Sequence, residues 1–227
     1  MTLKTILTKL KSSGDPKNVA GMARYGIFAK KVYGVPTPAL RTLAKEIGKN
    51  HMLAQQLWSS CIFDARIFAV FVDDSLLVTE KQMELWVKDF DNWAICDGCC
   101  IHLFRKTPFA WKKAKAWSVR KEEFVKRAGF TLFATLAVHD KEADDKQFDQ
   151  LFPIIKKASI DERNGVKKAV NWALRQIGKR NLVLNKAAIQ TATEIKKIDS
   201  PAARWIASDA LRELLSETIQ KRLNRKI

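Results

Sequence analysis

The stretch FVKRAGFTLFATLAVHD, residues 124–140, decides the fold class because its apolar residues recur at helical spacing. A second stretch, DARIFAVFVDDSLL at residues 64–77, repeats that spacing. Apolar residues three or four positions apart share one face of a helix and predict that this face is buried. In the first stretch the apolar positions that follow this rule are Phe130, Phe133, Ala134 and Ala137.

Helix starts carry their own signals along the chain. TPALRTLAKEI (37–47), TPFAWKKAKAW (107–117) and SPAARWIASDALREL (200–214) each begin with a hydroxyl residue followed by proline. A hydroxyl side chain suits the N-cap, and proline suits the first helical position, where its missing N–H has no partner to lose. Thr79 and Gln82 resemble a capping box, which predicts another helix start.

The helices recur at a period that predicts a repeat architecture. We expect about a dozen helices of roughly 10 to 17 residues and no strand, which makes the fold class all-α. Intervals of about 26 to 41 residues between major helices are typical of HEAT-like or armadillo-like arrays of helical pairs, with residues 1–227 as one domain and a concave basic groove. A compact irregular bundle is the alternative. The major helices are expected to begin near residues 37, 63, 92, 122, 163 and 201.

The charge balance points to an anionic partner. The formal net charge is +17, while 47% of the residues are hydrophobic, so the chain can bury a core and yet repels itself. Nucleic acid is the commonest partner for such a charge, and a generally basic protein is the alternative. No apolar run approaches the ~18 residues that cross a bilayer, and the N-terminus lacks a secretory signal, so we expect a soluble, cytoplasmic protein without membrane contact.

The cysteine pattern favours reduced thiols over metal or covalent chemistry. Three of the four cysteines crowd into one helical stretch, where a second ligand pair of the zinc type is missing. An apolar helix would also raise the pKa of a thiol, which disfavours a cysteine nucleophile paired with His102. No glycine-rich phosphate loop occurs, so we expect no metal and no nucleotide cofactor. The cysteines are Cys61, Cys96, Cys99 and Cys100.

The stretch NWAICDGCC, residues 92–100, places Trp93 four positions before Asp97. On a helix this spacing puts the indole and the carboxylate on one face, while Ile95, Cys99 and His102 are expected to point elsewhere. A carboxylate in an apolar, basic context is a candidate functional group. Its alternative is a structural carboxylate that pairs with a lysine or caps a neighbouring helix.

Two further segments combine aromatic and cationic residues. KKAVNWALRQIGKR (167–180) places Trp172 three positions before Arg175, which suits stacking on a sugar or base beside a phosphate contact. Trp172 could equally belong to the core. Arg127 heads the apolar stretch that begins at residue 124, and its guanidinium could hold a phosphate with two hydrogen bonds if it faces a groove.

Four segments in this order resemble the DNA alkylation repair glycosylases of the AlkD family, which are built from HEAT-like repeats. The segments are MARYGIFAKKVYGVPTPALR (22–41), NWAICD (92–97), FVKRAGFTLFATL (124–136) and VKKAVNWALRQIGK (166–179). The resemblance covers nearly the whole chain. It implies hydrolysis of the N-glycosidic bond of N3- and N7-alkylated purines in double-stranded DNA, without a cofactor and by a protein that we expect to be a monomer.

The resemblance also implies site residues. Asp97 corresponds to the catalytic carboxylate, Trp93 and Trp172 to the tryptophans that flank the lesion, and Arg127 to an arginine at the lesion backbone. Two other functions remain open: a non-catalytic member that binds damaged or branched DNA, and a repeat scaffold for acidic partners. Further DNA-contacting positions implied by the resemblance are Tyr25, Thr37, Arg41 and Arg175.

Overall fold

The computed structural model describes residues 2–225, and these residues form fifteen α-helices, one short 3₁₀ helix and no strand. The all-α prediction is therefore confirmed. Each of the six expected major helix starts falls within one residue of an observed one. The last two residues of the basic C-terminal segment, 226 and 227, lie outside the described residues.

The chain divides after Phe109 into two compact units. The prediction that residues 1–227 form one domain with a concave groove stays a prediction. The helices of the first unit are α1 (Leu3–Ser12), α2 (Pro16–Arg24), α3 (Thr37–Ile47), α4 (His51–Ser59), α5 (Phe63–Val72), α6 (Glu80–Lys88) and α7 (Trp93–His102), followed by the 3₁₀ helix Phe104–Lys106. Helix α5 packs against α3, α4 and α7, and α1 packs against α4 and α5.

The helices of the second unit are α8 (Ala110–Ser118), α9 (Glu123–His139), α10 (Asp145–Asp149), α11 (Phe152–Ala158), α12 (Asn164–Gly178), α13 (Leu182–Lys196), α14 (Pro201–Leu214) and α15 (Glu217–Asn224). Helix α9 makes the most extensive contacts, with α8 and with α12, and α14 packs against α12 and α13.

The residues that decided the fold class are buried in α9. Phe130, Phe133 and Ala134 have no exposed surface, and Ala137 is 3% exposed. Gly129, on the same helix, allows a close approach to α8, because a Cβ there would lie 2.4 Å from the backbone nitrogen of Ser118. A side chain of any size at this position would push the two helices apart.

The predicted helix caps are correct in two cases and wrong in two. Ser200 caps α14 by accepting from the Ala203 N–H at 3.2 Å, and Thr79 caps α6 by accepting from the Gln82 N–H at 3.1 Å. The N-cap of α3 is Pro36 instead of Thr37, which lies in the first turn. Thr107 does not begin a helix, because its hydroxyl donates to the carbonyl of Phe104 at 2.8 Å and so closes the 3₁₀ turn.

The capping box predicted at the start of α6 is only half formed. The Gln82 side chain does not return to Thr79, because its amide nitrogen donates to a carboxylate oxygen of Asp73 at 2.6 Å. Asp73 is fully buried, and His51 contacts its other oxygen at 2.7 Å. Burial raises the pKa of Asp73, although both partners act in the opposite direction.

Three of the four cysteines have the packing role that the sequence predicted. Cys96, Cys99 and Cys100 are buried in α7 and form no disulfide, whereas Cys61 is exposed. Burial raises the pKa of the Cys99 thiol well above its usual value, as expected for a small core group in apolar surroundings. Within the described part of the chain, no helix is long and apolar enough to cross a membrane.

Candidate functional site

Helix α7 begins at Trp93 because Asn92 caps it. The Asn92 side chain is buried and its oxygen accepts from the backbone N–H of Ile95 at 3.0 Å, which fixes the first turn. From this start, Trp93 and Asp97 fall on one face of the helix, as the spacing predicted. Ile95 and Cys99 fall on the opposite, buried face.

The Trp93 indole is held from a distant part of the chain. Its Nε1–H donates to the backbone carbonyl of Tyr25 at 2.9 Å, although the two residues are 68 positions apart in sequence. Trp93 remains 38% exposed, and the Tyr25 side chain is 74% exposed. Both aromatic side chains are therefore accessible, and the hydrogen bond fixes the orientation of the indole.

Trp93, Asp97 and Tyr25 line one cavity of about 620 Å³ within the first unit. This volume lies in the range of small-molecule binding sites. Among the described residues that line it, Asp97 is the one carboxylate, and most of the other lining side chains are apolar. The apolar walls come from α2, α3, α5, α7 and the loop before α3, and include Met22, Ile27, Val35, Leu40, Ile67, Phe71 and Ile101.

The loop that carries Val35 and Thr37 to this cavity is anchored by Asp64. Asp64 lies in the first turn of α5 and is 1% exposed. Its two oxygens accept from the backbone N–H groups of Tyr33 at 2.6 Å and Val35 at 2.7 Å. At Gly34, between these two residues, φ is +80° and a Cβ would lie 2.4 Å from the Asp15 carbonyl oxygen, so the turn requires glycine. No sequence pattern indicated this anchor.

One expectation about α7 is wrong. His102 was expected to point away from the face of Asp97, yet it lines the same cavity. Nine positions after Trp93, His102 leaves the helix in nearly the opposite direction. It is the last residue of α7, and it contacts Phe71 of α5, which lines the same cavity. The His102 ring meets Phe71 at 5.2 Å between ring centroids, in an edge-on arrangement.

The other predicted residues of the first unit lie close by. Thr37 is exposed and lines the cavity that contains Asp97. Arg41 lies one turn further along α3, where its guanidinium stands over the Phe71 ring at 5.4 Å from the centroid. Its Nη2 is 3.3 Å from Nε2 of His102.

Arg127, Trp172 and Arg175 belong to the second unit and are described by their contacts there. Arg127 is only 6% exposed, and its Nη1 donates to the backbone carbonyl of Gly165 at 2.5 Å. This bond links α9 to the first turn of α12. The guanidinium therefore has a structural partner within the unit, whatever else it contacts.

Trp172 is partly exposed on α12. When the Gln176 amide is oriented with its oxygen toward them, that oxygen accepts from Trp172 Nε1 at 3.0 Å and from Lys179 Nζ at 3.3 Å. The indole is thus held by a neighbour one turn away on the same helix. Trp172 is neither fully buried nor fully exposed, which fits neither a pure core role nor a free surface position.

Arg175 is part of an ion-pair network between α12 and α14. Its Nη1 contacts a carboxylate oxygen of Glu213 and lies 3.5 Å from Asp209. Lys179 donates to the other Glu213 oxygen at 2.5 Å. Burial acts to raise the pKa of Glu213, but Lys179 and Arg175 outweigh it, so this pKa is lowered.

The potential metal ligands of the described residues are not grouped into a metal centre. No group of three or more His, Cys, Asp or Glu side chains in residues 2–225 is arranged to hold a metal ion.

The family model described as DNA alkylation repair enzyme matches residues 6–214. The chain belongs to the DNA alkylation repair enzyme family. A solved structure from a protein family described as related to the HEAT-like repeat DNA glycosylases, with affinity for branched DNA structures, is also similar to it. It shares 21% sequence identity over 94% of this chain and 96% of that one, with a TM-score of 0.80. At this identity the likeness shows the fold, which confirms the predicted HEAT-like repeats. No protein of curated function matches this family member in sequence.

Proposed function

We propose that this protein is a DNA glycosylase that hydrolyses the N-glycosidic bond of N3- and N7-alkylated purines in duplex DNA. The observation that carries the proposal is the position of Asp97. In a chain of net charge +17, one carboxylate lines an apolar cavity beside two accessible aromatic rings, Trp93 and Tyr25. For DNA binding alone an acidic group there is unfavourable, because it repels phosphates.

The chemistry of the substrate explains why a carboxylate would suffice. An alkylated purine already carries a positive charge, so it leaves with the bonding electron pair when the C1′–N bond breaks and needs little help from a general acid. The sugar left behind resembles an oxocarbenium ion, which a nearby carboxylate stabilises. Water then attacks C1′, and its proton passes to Asp97 or to solvent.

The surroundings of Asp97 would strengthen this effect. Apolar walls lower the local dielectric constant, so the attraction between the carboxylate and a cationic sugar is greater than in bulk water. The exposed face of Trp93 attracts cations through its ring electrons, and the bond to the Tyr25 carbonyl keeps that face in place. The roles implied for Arg127 and Trp172 in the second unit stay predictions.

The test is release of 7-methylguanine and 3-methyladenine from a methylated duplex under single-turnover conditions. Asp97→Asn keeps the size of the side chain but removes its charge, so we expect excision to fall at least about a hundredfold while duplex binding survives. Glu46→Gln is the matched control, because Glu46 is exposed and pairs with Lys9 on the surface. Full activity of Asp97→Asn would end the assignment.

A second function, recognition of branched DNA without excision, is favoured by the similar solved structure, whose family is described as having affinity for such DNA. The same assay decides between the two functions. Tight binding of a four-way junction by the wild type, with no base released from any methylated substrate, would favour recognition. Absence of both activities would leave the scaffold for acidic partners.

A further inference from the structure

A second cavity, of about 410 Å³, adjoins the cavity of Asp97 and carries a different set of ionisable side chains. Phe71 and His102 line both cavities, so they form the boundary between them. Four of the seven residues that line the second cavity are basic, and none of these seven is a carboxylate. We call it the basic cavity. Its basic residues are Arg41, Lys45, Lys49 and His102.

The Phe71 ring contacts two of the basic side chains of this cavity. The Arg41 guanidinium stands over the Phe71 ring at 5.4 Å, and the His102 ring meets it at 5.2 Å. Arg41 and His102 are also within 3.3 Å of each other. A guanidinium stacked on an aromatic ring has a fixed plane, which lets its N–H groups bind an oxyanion with little loss of conformational freedom.

Lys49 is fixed by the end of α5. Its ammonium donates to the backbone carbonyls of Phe71 at 3.0 Å and Asp73 at 2.7 Å, which satisfies two acceptors at the helix C-terminus. An ammonium group has three N–H donors, so these two bonds leave one donor. The carbonyls therefore position the charge without neutralising it.

Two carboxylates on the elements that carry the basic cavity are engaged elsewhere. Glu46 on α3 pairs with Lys9 at 3.3 Å. The carboxylate of Asp73 contacts His51 at 2.7 Å and a Gln82 amide at 2.6 Å. The positive charge of the basic cavity is thus not compensated by these two carboxylates.

A neighbouring lysine also experiences this excess of positive charge. The pKa of Lys106 is lowered, first by burial and then by the charges of Lys49 and Arg105. Like charges that repel each other in this way are stabilised when an anion binds between them.

We propose that the basic cavity binds a phosphate of the DNA backbone, held by Arg41, Lys45 and Lys49 with His102 at its edge. Because the cavity shares a wall with the cavity of Asp97, a phosphate there would fix the register of the strand relative to the carboxylate. This inference rests on the proposed function only through DNA binding, and it holds for an excising and a non-excising protein alike.

The experiment measures duplex affinity against salt concentration by fluorescence anisotropy, in the Asp97→Asn background so that no base is lost. Lys45→Gln should lower the slope of log K against log salt by about one, and adding Lys49→Gln should lower it by about one more. Lys81→Gln is the control, because Lys81 is exposed on α6 and lines neither cavity. Thermal unfolding of each variant shows whether it is folded.

A neutral methylphosphonate placed at successive positions of the duplex then locates the contact. At one position the methylphosphonate should weaken duplex binding by the wild-type protein. The same substitution should have no further effect on the Lys45→Gln variant, because both changes remove the same interaction. Slopes for Lys45→Gln equal to those of Lys81→Gln would overturn the proposal. The proposal would also be overturned if inorganic phosphate, at constant ionic strength, stabilised the wild type while both DNA measurements were unchanged. The cavity would then be a site for free anions only.

The failure of this proposal can be told apart from failure of the glycosylase proposal. If the wild type releases the base and Lys45→Gln leaves the salt slope unchanged, only the proposal of the phosphate site is refuted. If Lys45→Gln lowers the salt slope and the wild type releases no base from methylated DNA, only the proposal of glycosylase activity is refuted.

Discussion

The indole N–H of Trp93 donates to the backbone carbonyl of Tyr25 at 2.9 Å and so joins the first turn of α7 to the end of α2. Both residues line the cavity of Asp97. The bond fixes one aromatic wall of this cavity and connects two segments that were predicted separately to contact DNA.

Trp93→Phe tests whether this bond matters for excision. Phenylalanine keeps an aromatic ring but cannot donate, so we expect the ring to lose its fixed orientation and the single-turnover excision rate to fall about tenfold, with the melting temperature little changed. Trp205→Phe is the control, since Trp205 is similarly exposed, at 41%, but lies on α14. Equal rates for the two variants would mean that the indole N–H has no role in positioning.

Local sequence signals account for what was predicted correctly in α7. The spacing of four between Trp93 and Asp97 depends only on residues within one helix, so it could be found without a structure. The same holds for the cap at Ser200. The prediction for Thr107 failed because its hydroxyl could either cap a following helix or close a preceding turn, and packing decided for the turn.

The walls of the cavity could not be found in this way. They come from helices and a loop far apart in sequence, and their meeting depends on long-range bonds such as those of Asp64 to Tyr33 and Val35. An aspartate in the first turn of a helix is expected for electrostatic reasons alone, so its sequence position carries no sign of a second role. The basic cavity was missed for the same reason, although Arg41 itself was predicted.

Asp64→Ala tests the loop anchor. It would leave two backbone N–H groups without their acceptor, and hydrogen bonds to a charged group contribute about 1.5–3 kcal/mol each, so we expect the free energy of unfolding to fall by about 3 kcal/mol or more. Denaturant titration measures this. Glu46→Ala, which breaks a surface ion pair, should cost less than about 1 kcal/mol. Similar losses for the two variants would contradict the anchor.

A partly buried carboxylate in the second unit, Asp161, makes the stability of the protein depend on pH in acid. Arg163 and Lys126 lower the pKa of Asp161 by hydrogen bonds and charge, against the effect of burial. A carboxylate whose pKa is lower in the folded state stabilises the fold above its unfolded value of about 3.9, and this contribution is lost as pH falls through the folded value.

Asp161→Asn should therefore be less stable than the wild type at pH 7 and should lose less stability below about pH 4. The measurement is the melting temperature as a function of pH. Asp199→Asn is the control, because the Asp199 side chain is fully exposed and its ion pair with Arg204 is open to solvent. Parallel curves for Asp161→Asn and the wild type would show that Asp161 has no stabilising charge.

Arg175 and Arg41 were both predicted to contact DNA, and their surroundings lead to different expectations. Arg175 is compensated by Glu213 and Asp209, so removing it should destabilise the second unit and leave the salt dependence of DNA binding nearly unchanged. Arg41 contacts a ring and a histidine, neither of which is anionic. Arg41→Ala should therefore lower the salt slope by about one counterion.

Both variants can be measured in one anisotropy series, with urea unfolding as the second readout. The contrast between them is the informative quantity, because both replace an arginine by alanine. If Arg175→Ala lowers the slope of log K against log salt as much as Arg41→Ala does, Arg175 leaves its carboxylates when DNA binds. In that case Glu213→Gln should strengthen DNA binding, since it would release the arginine from its competing partner.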